Sequence, residues 1–184
     1  LIATVDNGTV KAVRVGTVKI TSDKGSFTVT VSPKSRLYNE PYMKWGDSKS
    51  TVKSHMSNYD RLSETSTVCL YKGNGAADFI GYSFENSRLK SSIAYVPTTY
   101  LEALVEFLTE RYAYVTSTDD ISAMISVDGK TIVAVTAQSI SSKVYYAVLY
   151  TEAPEGTNLS SRSYEQNTLM LENILKTTWK HKTH

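Results

Sequence analysis

The stretch Phe79-Ile-Gly-Tyr-Ser-Phe-Glu-Asn-Ser-Arg-Leu-Lys-Ser-Ser-Ile-Ala-Tyr-Val96 decides the fold of this chain. Ile80, Tyr82 and Phe84 alternate with Gly81 and Ser83, the period of a strand whose side chains point to opposite faces in turn. Glu85-Asn86-Ser87 turns the chain, and Leu89 to Val96 returns. Upstream, Val68-Cys69-Leu70-Tyr71 and the turn Gly73-Asn74-Gly75 supply a third strand. Before it, Trp45-Gly46-Asp47-Ser48-Lys49 opens a helix, with Asp47 or Ser48 as N-cap. Val52, His55, Met56 and Tyr59 then share one helical face.

Downstream the order repeats. Pro97 closes the hairpin, and a second helix runs from about Thr99 to Tyr112, with Leu101, Leu104, Val105, Leu108 and Tyr112 on one face. Three strands follow: Ala123–Val127, Thr131–Thr136 and Lys143–Tyr150, with turns at Asp128-Gly129 and Ser139–Ser142. Val52, Met56 and Leu62 precede Leu104, Leu108 and Val115 by 52 or 53 residues. The expectation is therefore an α+β fold: two αβββ units over residues 41–152 forming an antiparallel sheet with helices on one face. In architecture this is similar to TATA-binding-protein-like and β-lactamase-inhibitor-like folds, a likeness that carries no function.

Residues 1–33 are all strand and turn. Asp6-Asn7-Gly8-Thr9 sits between apolar runs, and Asn-Gly accepts the positive φ of a tight hairpin turn. Val10, Ala12, Val13 and Val15 follow, then Gly16, Val18 to Thr21, a turn at Ser22–Ser26, and Phe27 to Val31, stopped by Pro33. This run, Ile2 to Pro33, resembles the C-terminal half of a bacterial immunoglobulin-like domain of group 2. That family closes with an Ala-Thr-Val-Asp strand, an Asn-Gly-type turn, a Val-x-Ala-Val run, a Gly-Thr-x-x-Ile strand and a Thr-Val-Thr-Val ending. The resemblance implies a partial β-sandwich whose first strands lie upstream. It also implies an exported bacterial protein, since such modules occur on surfaces and in adhesins. The expected boundaries are the immunoglobulin-like part at 1–33, a polar linker at 34–40, the α+β module at 41–152, and a loop with a C-terminal helix at 153–184. In that last helix, capped by Ser161 or Ser163 and running to about Lys180, Leu171, Ile174, Leu175 and Trp179 form the apolar stripe. Residues 41–150 also resemble small modules of exported Bacteroidetes proteins, through Trp45, Gly46, Ser48, Lys49, Val52, Leu70, Tyr71, Gly73, Tyr82, Phe84, Asn86 and Leu89. No activity is implied by that likeness.

Charge and composition exclude several classes. Twenty basic against 18 acidic residues give a net charge of +2, too balanced for nucleic acid or an anionic membrane as partner. No apolar run approaches the roughly 20 residues that cross a bilayer, so membrane attachment is expected only through an upstream anchor outside this sequence. The single cysteine, Cys69, can form no internal disulfide and reads as a small core residue inside a strand. His55, His181 and His184 are too few and too scattered for a metal site or a catalytic triad. Gly73-Asn74-Gly75 lacks the Lys-Ser/Thr ending of a phosphate loop. Asp119-Asp120 are adjacent loop acids, and Glu102, Glu106 and Glu110 form a charged outer row on the second helix. No cofactor is expected.

What remains is tyrosine, 13 of 184 residues. In the last strand Val144, Tyr146, Val148 and Tyr150 share one face, while Tyr145, Ala147 and Leu149 share the other. If Tyr82, Tyr146 and Tyr150 lie on a sheet face left open by the helices, they make an aromatic platform for a sugar or an extended peptide. The competing reading buries them under another element. The functional expectation is a non-enzymatic binding or adhesion protein at the surface or in the periplasm of a Gram-negative bacterium, with a glycan or a surface protein as ligand. Its rivals are an inhibitor-like binder working through the open face, and a hydrolase with an unrecognised carboxylate site.

Overall fold

A computed structural model of the chain describes residues 2–118 and 121–155. β1 (Ala3–Asp6) and β2 (Thr9–Ala12) pair antiparallel across a two-residue turn at Asn7 and Gly8, with φ of 47° and 77°. Asn and Gly tolerate that left-handed backbone best, which is why this turn sits here. β3 (Gly16–Ser22) and β4 (Gly25–Val31) make a second hairpin. The two hairpins are separate two-stranded sheets.

The body begins with α1 (Lys49–His55), capped by the Ser48 side chain, which accepts from the Thr51 amide. Four strands follow: β5 (Arg61–Glu64), β6 (Val68–Lys72), β7 (Phe79–Glu85) and β8 (Arg88–Pro97). A 3-10 turn over Thr98–Tyr100 leads into α2 (Leu101–Arg111). Four more strands complete the body: β9 (Tyr112–Ser117), β10 (Ser122–Ser126), β11 (Thr131–Ile140) and β12 (Lys143–Glu152). All eight join one antiparallel sheet in the order β5-β6-β7-β8-β12-β11-β10-β9. Two meanders thus run from the outer edges inward and meet at the β8–β12 pair.

The α+β expectation is corrected by this architecture. Strand makes up 53% of the described residues and helix 14%, in only two α-helices around one large antiparallel sheet. Each unit is a helix and four strands, because β5 and β9 were not read from the sequence. The β9 error has a physical cause. Leu101, Leu104, Val105 and Leu108 continue at helical spacing to Tyr112, and no Gly or Pro marks a boundary. Yet Tyr112-Ala-Tyr-Val-Thr-Ser117 is aromatic and β-branched, and pairing with β10 gives it a ladder that a longer helix would forfeit. α1 is likewise short, ending before Tyr59. The expected C-terminal helix lies outside the described residues.

Both helices lie on the same sheet face. Val52 and Met56 of α1 pack on Cys69, Tyr71, Ile80 and Tyr82. Leu104, Phe107 and Leu108 of α2 pack on Ala94, Val133, Val148 and Tyr150. Cross-strand register ties these sets together, since Tyr82 opposes Ser92, Ser92 opposes Tyr150, and Tyr150 opposes Val133. Trp45 bridges the two clusters and donates its indole N–H to Thr131 Oγ1 at 3.3 Å.

The segment read as a linker, 34–40, is fastened to the body. Glu110 accepts from the Lys34 and Ser35 amides with its carboxylate and from the Val15 amide with its carbonyl. Tyr38 is buried in the α2 cluster, its ring 4.5 Å from that of Phe107.

Candidate functional site

The three tyrosines singled out in the sequence all fall on the helix-covered face. Tyr82 is 1% exposed, with its hydroxyl 3.1 Å from Met56 Sδ and accepting from the Tyr42 amide. Burial pushes this phenol up to about 12. Tyr150 is 0% exposed and shares a 2.6 Å hydrogen bond with the Tyr38 hydroxyl. Burial, with Tyr38 and Tyr112 beside it, holds its ionisation far above the usual range. Neither ring is available to a ligand. Tyr146 is only half-buried and lines an open cleft.

That cleft, about 330 Å³, lies between α2 and strands β10 to β12. Its origin is the width of the apolar arc on α2. The sheet takes up Leu104, Phe107 and Leu108, and the arc extends further than the sheet can cover. Leu101 and Val105, one helical turn apart, are left 47% and 50% exposed on the cleft's helical side. Met124, Val135 and Tyr146 line it from the strands, with Ser122 and Thr136 adding hydroxyls. Among the described residues that line it there is no carboxylate, imidazole, amine or thiol. The arrangement can enclose an apolar group of side-chain size and offer it a few hydroxyl contacts.

A second crevice, about 540 Å³, follows the seam between the N-terminal hairpins and the body. Glu40, Arg111 and Tyr112 line it, and none is spare. Arg111 stacks on the Phe107 ring at 3.9 Å and donates to the carbonyls of Phe107 and Ser35, each at 2.9 Å. Its Nε lies 3.7 Å from Glu40, whose carboxylate also accepts from the Tyr112 hydroxyl. Burial first, and then Glu40, keeps the Tyr112 phenol protonated far beyond its ordinary range. This is a joint that seats residues 35–40 on α2.

The remaining candidates contribute little chemistry. Cys69 is fully buried, and burial raises its thiol. His55 is exposed and rests against the Tyr42 ring at 4.7 Å. Among the described residues no group of three His, Cys, Asp or Glu side chains could hold a metal ion. No helix there is long and apolar enough to cross a membrane. Asp119, Asp120, His181 and His184 lie outside the described residues. Of the glutamate row, Glu106 pairs with Lys34 at 3.6 Å and Glu110 anchors two backbone amides. Phe107 and Arg111 were missed in the sequence, although their place next to Leu104 and Leu108 on the helical wheel could have flagged Phe107.

The opposite sheet face has its own aromatic group. Phe79, Tyr95 and Tyr145 meet edge to face, with ring centroids 5.9 to 6.5 Å apart. Tyr145 donates to Asp78 Oδ2 at 3.1 Å. Comparison with protein-family models, curated proteins and solved structures returns no match.

Proposed function

We propose that this chain is a non-enzymatic binding module whose α2 cleft takes an apolar side chain of a protein ligand. The observation that carries the reading is the pair Leu101 and Val105, half-exposed beside a cleft whose described lining is mostly apolar. Large apolar side chains gathered on a concave surface are characteristic of a contact surface. The setting we propose is the surface or periplasm of a Gram-negative bacterium, in adhesion. That part rests on the resemblance of residues 2–33 to bacterial immunoglobulin-like modules.

The test is selection of binders from a random peptide display library on the purified chain. Peptides enriched in large apolar residues are expected. Leu101→Ser and Val105→Ser should each weaken them about 10- to 100-fold, the equivalent of about 1.5–3 kcal/mol of lost apolar contact. Thermal stability should stay near wild type, since both side chains are half-exposed. Peptides that bind both variants as tightly as wild type refute the cleft. A glycan-array hit abolished by Tyr146→Ala would instead assign the site to a sugar.

A further inference from the structure

The edge strands of the three sheets are not alike. β1, β2, β3 and β5 carry charged side chains, Asp6, Lys11, Lys19 and Arg61 with Glu64, and charge on an edge deters a further strand from adding. β9 carries none, but Val115 and Thr116 are buried there. β4, Gly25-Ser-Phe-Thr-Val-Thr-Val31, has no charge, no proline and no bulge, and every residue in it is exposed or half-exposed. It pairs with β3 alone, so among the described residues no strand lies along its outer edge. A two-stranded ribbon is marginal by itself, and further strands sharing an apolar face are what stabilise one.

The hairpin's register fixes which backbone groups face outward. Asp23-Lys24 is a two-residue turn, so Ser22 and Gly25 are the first doubly bonded pair. Bonded pairs then recur at Ile20–Phe27, Val18–Val29 and Gly16–Val31. Ser26, Thr28 and Thr30 fall between them, opposite Thr21, Lys19 and Thr17, and turn their N–H and C=O groups away from β3. The side chains divide the same way. Phe27, Val29 and Val31 share one face with Val18 and Ile20, while Ser26, Thr28 and Thr30 share the other. An antiparallel copy of β4 centred on Thr28 satisfies both patterns at once. Thr28 meets the partner's Thr28, Ser26 meets the partner's Thr30, and Thr30 meets the partner's Ser26, each pair exchanging both backbone hydrogen bonds. Phe27 then lies across from the partner's Val29 at a non-bonded position, where side chains come closest, and symmetry makes this aromatic–β-branched contact twice. We propose that β4 pairs with β4 of a second copy of this chain about a two-fold axis at Thr28. The product is one four-stranded sheet, β3-β4-β4-β3, with a continuous apolar face. A one-residue slip sets apolar side chains against hydroxyls, which pins the register. A single edge pair buries less than the roughly 1,200 Å² of a standard interface, so the dimer dissociates on dilution. This goes beyond the binding role, which uses α2 and the large sheet.

The experiment is sedimentation equilibrium on the full chain from about 1 to 200 µM, the range a weak dimer spans. Wild type is expected to pass from monomer to dimer across it. The double variants Ser26→Lys/Thr30→Lys and Ser26→Glu/Thr30→Glu set like charges opposite one another on both sides of the axis, and each should dimerise about 5- to 30-fold more weakly. Mixed in equal amounts they set Lys against Glu, and the dimer should return, which also shows that both still fold. Thr28→Pro deletes an outward N–H that β3 does not use, so it should keep the hairpin and lose the dimer. A wild type that stays monomeric overturns the proposal. Undiminished dimerisation in the two charged variants or in Thr28→Pro overturns it as well, since the contact then lies elsewhere. So does a mixture that fails to recover while each variant keeps the wild-type circular dichroism spectrum. Leu101→Ser should dimerise like wild type, so the cleft reading survives or fails separately, on its peptide data.

Discussion

The Tyr38–Tyr150 pair gives the sharpest check on the structure. The two hydroxyls are 2.6 Å apart and buried, and among the described residues each finds its hydrogen bond in the other. Tyr150→Phe keeps the ring, its contact with Tyr112 at 6.1 Å and the packing volume. What it removes is the partner of the Tyr38 hydroxyl. An unsatisfied buried hydroxyl costs about 1–3 kcal/mol, so the variant should lose about 2 kcal/mol. Tyr38→Phe should cost about the same, for the mirror reason. The double variant removes donor and acceptor together and should be no less stable than either single one. Urea unfolding with an unchanged m-value would measure this, and each single change should lower Tm by about 4–8 °C. If each single change costs less than about 0.5 kcal/mol, or if the double cost is the plain sum, water reaches the pair. Tyr150 would then sit at a wet surface, as an aromatic binding platform requires.

Further outcomes follow from other sites. Burial raises the phenols of Tyr38, Tyr112 and Tyr150 above their ordinary value, so their contribution to stability is complete below about pH 10 and is lost as pH rises beyond it. Ultraviolet phenolate absorbance should therefore show these groups ionising only together with loss of the circular dichroism signal; ionisation of every tyrosine near pH 10 in a folded chain would contradict their burial. Glu64 lies 2.9 Å from Lys53, 3.0 Å from Lys49 and 2.6 Å from Arg61. Hydrogen bonds from Lys53 and Lys49, with Arg61 adding charge, lower its carboxyl from 4.5 to about 2. Its stabilising effect is present above pH 4.5 and fades toward pH 2; an NMR titration should place the midpoint near 2, and Lys53→Ala should move it upward. Ser142 closes the β11–β12 turn at φ 69°, a backbone glycine adopts without cost. Ser142→Gly relieves about 1–2 kcal/mol of strain and adds about 0.5–1 kcal/mol of unfolded-chain entropy, so a small gain of about 0.5 kcal/mol is expected, read as a rise of about 1–2 °C in Tm.

Much of the sheet was legible because local chemistry spelled it out. Asn7-Gly8 and Asn86-Ser87 mark their turns, and the alternation from Ile80 to Phe84 marks a strand between two others. β5 was not legible, since Arg61-Leu-Ser-Glu64 has one apolar residue and is held by β6 alone. Alternation also placed Tyr146 and Tyr150 together and Tyr145 opposite them. It could not say which side the helices would take, because that depends on how both αββββ units fold over the sheet. Tyr82 and Tyr150 are consequently buried under α1 and α2, Tyr146 lines the cleft beside α2, and the opposite face carries Phe79, Tyr95 and Tyr145. Of the candidate cleft, the surplus apolar arc from Leu101 to Leu108 was visible on the helical wheel. Its opposite wall was not, since Met124, Val135 and Tyr146 are brought to it only by the sheet. The Glu40–Arg111 joint spans 71 positions of sequence and leaves no local trace.

The bonds that converge on Glu110 have a mechanical consequence. Its carbonyl holds Val15 at the start of the β3–β4 hairpin, and its carboxylate holds Lys34 and Ser35 just beyond the end. Both ends of the hairpin are therefore pinned to one residue of α2. Tension entering at the N-terminus passes from Val15 through α2 to Ser35 and bypasses the hairpin, which stays slack until those bonds part. The β3–β4 ladder shares no rung with the eight-stranded sheet, so its pairing can open without breaking a hydrogen bond of that sheet. Glu110 shares that load with Arg111 on the Ser35 carbonyl and Arg14 on the Tyr112 carbonyl, so the hairpin's two ends are held to the body at neighbouring points.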